Sequence, residues 1–176
     1  MRIIGGEFGG RVILRPKTAL TRPMTDKVRE SLFNIVGDLT DWEVADLYAG
    51  SGAIGLEAIS RGAKHVVFVE SAKEALRIIS QNIGALEVNS QSTLFSGTVT
   101  KYAQQFPAQR FNLAIADPPY EKINVRELNL LSHLVAPKGL FIISHSSRIL
   151  APKLESIERI ETRTYGDSSL SFYDRD

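Results

Sequence analysis

Asp46-Leu-Tyr-Ala-Gly50-Ser-Gly52-Ala-Ile-Gly55 is the stretch from which the fold of this chain is read. It lies between an apolar strand, Val44 to Ala49, and a helix over Ala53 to Arg61 that Gly62 stops. Working outward, the same alternation repeats. His65 to Val69 is a strand ending at Glu70, and Ser71-Ala-Lys-Glu74 is a capping box that opens a helix with Leu76, Ile79 and Ile83 on one face. Ser92 to Ser96 and Phe111 to Ala116 are further strands, with a helix over Val99 to Gln105 between them. Asn124 and Glu127 cap a helix carrying Leu128, Leu131 and Leu134, which Pro137 and Gly139 break before a strand from Leu140 to Ser144. Arg159 to Tyr165 and Ser169 to Tyr173 flank a tight turn at Gly166-Asp167-Ser168. The expected class is α/β: a mostly parallel sheet of seven strands with a C-terminal antiparallel hairpin. Ligands of such a sheet bind outside the C-terminal ends of its strands, where the strand order reverses.

Upstream of this unit, Arg2 to Gly6 and Arg11 to Arg15 read as a small N-terminal β-hairpin around Glu7-Phe8-Gly9-Gly10. Thr25 or Asp26 then caps a helix with Val28, Leu32 and Ile35 on one face, ended by Gly37, and Trp42 reads as a packing residue. One domain over 1–176 is expected, with 1–25 as a basic hairpin-and-loop extension.

Gly50-x-Gly52-x-x-Gly55 permits a tight turn and close backbone approach to a ligand. Glu70, at the end of the next strand, is placed to bind two ribose hydroxyls. On spacing alone a dinucleotide site, or a turn that merely packs helix on strand, fits equally well. Asp46 decides against the first, because a carboxylate at the mouth of the turn repels pyrophosphate and suits a cation. S-adenosylmethionine offers an ammonium, a sulfonium and a ribose diol, and carries no phosphate.

The second station is Asp117-Pro118-Pro119-Tyr120, at the end of the apolar strand Phe111 to Ala116. An exocyclic amino nitrogen on a nucleobase is a weak nucleophile because its lone pair is delocalised into the ring. The Asp117 carboxylate and the Pro118 carbonyl can accept its two protons and localise that lone pair, with the prolines fixing their direction. Tyr120 can stack on the base. A Pro-Pro turn leaving a strand is common in isolation; downstream of an acid-headed glycine turn it points to methyl transfer onto a base nitrogen.

Composition excludes other chemistry. The chain has 176 residues and no cysteine, so disulfides, thiolate metal sites and cysteine nucleophiles are absent. His65, His133 and His145 form no metal pattern; His145, at the end of its strand, is a candidate pocket residue. No apolar run reaches about 18 residues and no secretory leader is legible, so a cytoplasmic protein without membrane spans is expected. Residues 1–30 hold seven basic side chains against three acidic ones within an overall net charge of +1. That asymmetry suits either a polyanion or a merely solvated basic face.

With these residues in view, the chain resembles the bacterial RsmD type of methyltransferase, which methylates N2 of a guanine in 16S ribosomal RNA. The resemblance runs through Met1-Arg-Ile-Ile-Gly-Gly6, Thr21-Arg-Pro-Met-Thr-Asp-Lys-Val-Arg-Glu30, Asp46 to Glu57, Ser60-Arg-Gly-Ala63, Asp117-Pro-Pro-Tyr120, His145-Ser146 and Tyr165-Gly-Asp-Ser-Ser-Leu-Ser-Phe-Tyr173. It implies a Rossmann-like methyltransferase fold, with S-adenosylmethionine held by Asp46, Gly50, Gly52, Gly55 and Glu70, and the guanine at Asp117, Pro118 and Tyr120. Arg11, Arg22, Lys27 and Arg29 are the expected RNA contacts, and the partner is 16S rRNA or the assembling small subunit, with a monomer and no metal. The chain departs from the pattern at Thr98, where relatives commonly carry an acid near the adenine, leaving a hydroxyl or backbone group for the cofactor. It departs again at Ser144, where an acid is frequent. Two other readings compete: a DNA adenine or cytosine amino-methyltransferase, disfavoured by the lack of an inserted recognition domain, and a noncatalytic RNA-binding module with a vestigial pocket.

Overall fold

A computed structural model describes residues 1–17, 24–119 and 123–176. Among the described residues, seven strands form one sheet: β1 (Glu43–Leu47), β2 (His65–Glu70), β3 (Ser92–Ser96), β4 (Phe111–Ala116), β5 (Val135–Ser146), β6 (Glu158–Tyr165) and β7 (Ser168–Asp174). Their order is β3-β2-β1-β4-β5-β7-β6. β1 to β5 run parallel, and β7 is antiparallel to both β5 and β6. The order therefore reverses between β1 and β4, at whose ends the glycine turn and the Asp-Pro-Pro corner emerge.

Period-two patterning buries both faces of the central strands. Along β2, Val66 and Phe68 enter one core while Val67 and Val69 enter the other. The first core also takes Val28, Leu32 and Phe33 of α1 (Asp26–Val36), Leu56 and Ile59 of α2 (Ala53–Ser60), and Ile79 and Ile83 of α3 (Lys73–Ala85). The second takes Val99 and Tyr102 of α4 (Val99–Gln105) and Leu128 and Leu131 of α5 (Val125–Ser132).

Caps follow the sequence at α1, where the Thr25 hydroxyl accepts from the Val28 N–H, and at α5, where Asn124 accepts from the Arg126 and Glu127 N–H groups. The capping box at Ser71 does not form. α3 starts with Ala72 at its N-cap and no side-chain cap. The Glu70 carboxylate instead takes the Ser71 and Ala72 N–H groups at 2.7 and 2.8 Å, and two charge-assisted bonds outcompete one hydroxyl.

β5 also departs from expectation, because it begins at Val135 and carries Pro137 and Gly139 within it. Its register against β4 jumps from Phe111↔Val135 to Leu113↔Leu140. The extra residues bulge out, with Lys138 at φ 61°, so the two breakers interrupt pairing locally without ending the strand.

The N-terminal segment forms a short hairpin, with the bridge Arg2↔Val12 flanked by Ile3 N–H to the Arg11 carbonyl and Ile13 N–H to the Met1 carbonyl, and it is built into the body. Ile3 and Ile13 join the first core. Glu57 of α2 accepts from the Ile4 and Gly5 N–H groups at 2.7 and 2.9 Å, and the Ser60 carbonyl and hydroxyl accept from the Glu7 and Phe8 N–H groups.

Candidate active site

β1 delivers Asp46 one residue before its end and β4 delivers Asp117 one residue beyond its own. The parallel register Leu47↔Ala116 makes the two neighbours, and the Asp117 N–H extends the pairing by donating to the Leu47 carbonyl at 3.3 Å. Glu70 ends β2 on the other side of β1. Three carboxylates thus crowd the ends of three adjacent strands.

Asp46 does not stand at an open mouth as expected; it is 0% exposed. Its Oδ2 accepts from the Gly55 N–H at 2.9 Å, whereas its Oδ1, equally buried, has no hydrogen-bond partner among the described residues. Burial drives its carboxyl pKa well up, and the charges of Asp117 and Glu70 add to that, against the opposing bond from Gly55. A cation brought to Oδ1 would reverse the first imbalance and neutralise the second.

The turn above it runs at positive φ, 58° at Gly50 and 77° at Gly52, which disfavours side chains at both positions. Glu70 Oε2 accepts from the Gly50 N–H at 2.8 Å. Its Oε1 is taken by the Ser71 and Ala72 N–H groups, so Oε2 keeps one lone pair for a ribose hydroxyl. The residues present therefore fit a cationic ligand with a ribose: a buried acceptor unpartnered among the described residues, two glycines in the turn and a half-buried acid beyond it. Gly55, expected at the cofactor, acts indirectly. A Cβ there would lie 2.2 Å from Phe68, so it is a packing glycine whose N–H holds Asp46.

Asp117 is half-buried, and Pro118 is buried beside it. Burial raises the Asp117 carboxyl to about 6, although a hydrogen bond with Ser144 pulls the other way. Ser144, flagged in the sequence only as a departure, is thus a partner of the catalytic candidate. Tyr120 lies outside the described residues.

Two further candidates have partners within the fold. The Thr98 hydroxyl is the N-cap of α4 and accepts from the Lys101 N–H at 3.2 Å. His145 is buried, its Nε2 bonded to Ser171 Oγ at 2.8 Å and its Nδ1 to the Ser146 carbonyl at 2.9 Å. Burial lowers its pKa.

Arg29, expected on RNA, is 1% exposed. It donates to the Arg2 carbonyl at 2.6 Å and to Asp26 at 3.0 Å, and pairs with Glu57 at 3.7 Å. Its guanidinium is an internal tie, invisible in a count of basic residues because charge alone does not report burial. Arg11 and Lys27 are exposed, as are the neighbouring Arg2 and Arg15; Arg22 lies outside the described residues.

Asn82 of α3 was missed altogether. It brackets Leu14, accepting from its N–H at 2.8 Å and donating to its carbonyl at 3.0 Å, and also donates to the Ser51 carbonyl at 3.0 Å. The hairpin is thereby tied to the glycine turn. Only its interruption of the apolar face of α3 could have signalled this.

An order-reversing parallel sheet with one antiparallel strand, an acid-headed glycine turn at β1 and an Asp-Pro-Pro corner at β4 define the class: a Rossmann-like methyltransferase. Within that class the chain belongs to the family described as Conserved hypothetical protein 95, the RsmD family, which matches residues 1–174. It is 30% identical to "Putative rRNA methyltransferase YlbH" of Bacillus subtilis over 98% of each chain. It is 35% identical to "Ribosomal RNA small subunit methyltransferase D" of Escherichia coli K12, over 74% of this chain and 66% of that one. Among solved structures, "Putative methyltransferase yhhF" from Escherichia coli superposes with a TM-score of 0.86 at 28% identity, over 100% of this chain and 98% of that one.

Proposed function

We propose that this protein transfers a methyl group from S-adenosylmethionine to the exocyclic N2 of a guanine in 16S ribosomal RNA. The observation that carries the reading is the buried, unpartnered Oδ1 of Asp46 one strand away from Asp117. An acceptor without a donor among the described residues is completed by an ammonium group. The relatives' names supply the nucleic acid, ribosomal RNA of the small subunit.

Asp46 and Glu70 then bind the cationic and ribose ends of the donor, and the backbone of Gly50 and Gly52 lies against it. When bound, S-adenosylmethionine supplies a methyl group already activated on a sulfonium. The Asp117 carboxylate and the Pro118 carbonyl accept the two amino protons of the guanine and turn its nitrogen lone pair out of the ring plane. Tyr120 stacks on the base. The new N–C bond would form as the donor's S–CH3 bond breaks and its sulfur leaves as a neutral thioether; the nitrogen then gives up one proton, and Asp117, raised to about 6, is matched to receive it near neutral pH. Positioning provides most of the rate. Arg11 and Lys27, with Arg2 and Arg15, meet RNA phosphates, and 1–176 acts as one domain with 1–25 as its RNA-facing extension.

The test is transfer of labelled methyl to undermodified small-subunit rRNA and to assembled subunits, followed by nucleoside analysis. N2-methylguanosine at one site is expected. Label in another nucleoside would overturn the guanine assignment, and no label despite donor binding would overturn the substrate.

A further inference from the structure

Tyr48 stands between Asp46 and Gly50 with φ at 64°, a value that bulky L residues seldom adopt. Something must hold it there. Its ring packs against the second core, and its hydroxyl donates to the Glu127 carboxylate. The other oxygen of Glu127 accepts from the Thr100 hydroxyl. One carboxylate thus gathers three elements: the cofactor turn after β1, the first turn of α4, and α5, which follows β4 among the described elements.

Glu127 does not serve its own helix. It lies in the first turn of α5, but Asn124 already caps the Arg126 and Glu127 N–H groups. The Glu127 side chain reaches across to Tyr48 and Thr100 instead. Burial and the neighbouring Glu127 charge both hold the Tyr48 phenol in its protonated, donating form by raising its pKa. The donor therefore stays a donor across any physiological pH.

We propose that Glu127 is a positioning residue for methyl transfer: through Tyr48 it sets the backbone of the glycine turn, and through α5 it keeps that turn aligned with the Asp117 corner. This rests on the reading of Asp46 to Gly52 as the methyl-donor site. The sequence gives no hint of it, because Tyr48, Thr100 and Glu127 are far apart in the chain and each has an ordinary local role. A left-handed backbone between the acid and the glycines offers the turn an alternative, relaxed conformation, and the bond to Glu127 selects against it.

The test measures S-adenosylmethionine affinity by calorimetry, together with amide hydrogen exchange of the ligand-free protein, for wild type, Tyr48→Phe, Glu127→Gln and the double variant. Tyr48→Phe removes one hydroxyl and keeps the ring, so the fold is retained. Each single variant is expected to weaken donor binding about tenfold and to speed exchange at the amides of 49–52. The double variant is expected to lie within about twofold of either single one, because both break the same link. Affinities within twofold of wild type, with only the melting temperature lowered, would show a merely structural bond and overturn the inference. Effects that multiply in the double variant would overturn it equally. A wild-type protein that binds no donor would overturn the functional reading as well, which separates the two failures.

Discussion

Two buried carboxylates meet α2, Asp46 of β1 through the Gly55 N–H and Glu57 from within the helix, and they differ in completeness. Glu57 is 0% exposed and fully engaged: two backbone N–H groups of the hairpin, Arg61 at 2.8 Å and Arg29 at 3.7 Å surround it. Asp46 is equally buried, but it holds one N–H and leaves one oxygen bare, with two more acids nearby. A saturated buried charge organises the protein. An unsaturated one destabilises it until a ligand arrives, and persists because the site needs it.

The sharpest way to break this contrast is to remove each acid. Glu57→Ala leaves Arg29 and Arg61 without a counter-charge and frees the Ile4 and Gly5 N–H groups. Chemical denaturation should show a loss of about 3–5 kcal/mol.

Asp46→Asn should behave oppositely. Donor affinity should fall on the order of 100-fold, about 2.7 kcal/mol, while stability at pH 7 is unchanged or raised. The sign follows from the raised pKa: stability associated with a protonated Asp46 is present below its unfolded value and lost as pH rises through the folded one. An amide removes that loss while still accepting from Gly55. Calorimetry and thermal melts would separate the two effects.

Asp117→Asn sharpens the comparison with pH. The Asp117 carboxyl titrates near 6 in the folded protein against an ordinary 3.8. The wild type therefore loses stability as pH rises from about 4 through 6, and the variant should gain on the order of 1–3 kcal/mol above pH 6 with little difference at pH 4. Methyl transfer by the wild type should decline below pH 6 as the acceptor is protonated, and the variant should lose turnover throughout. Melting curves and rate profiles over pH 4–8 check both.

The smallest effect concerns the cations. Arg11→Ala and Lys27→Ala should each lower the slope of log RNA affinity against log salt by about 0.7, the value for one single-strand phosphate contact. Arg29→Met, with its guanidinium removed from an internal network, should leave that slope unchanged in the folded protein.

How much of this was legible in the chain follows from the range of each interaction. Strand and helix placement was readable because apolar periodicity is local, and β3, α4 and β4 fall where the pattern puts them. The glycine turn and the Asp-Pro-Pro corner were readable because each is a contiguous run whose residue types restrict the backbone. β5 was read too short because Pro137 and Gly139 are breakers in isolation; only the partner strand shows that pairing resumes after a bulge. The role of Arg29 is not legible because Glu57, on the far side of β1 and the glycine turn in sequence, lies beside it only in the fold.

The class of fold, the two motifs and the kind of ligand they suit depend on residue type and short spacing, so they are legible in the chain before it folds. Tertiary structure alone decided which charges are ties and which are tools. Asp46, Glu57 and Glu127 are all acids, and a carboxylate's role is set by how many donors surround it, most of which come from elsewhere in the chain.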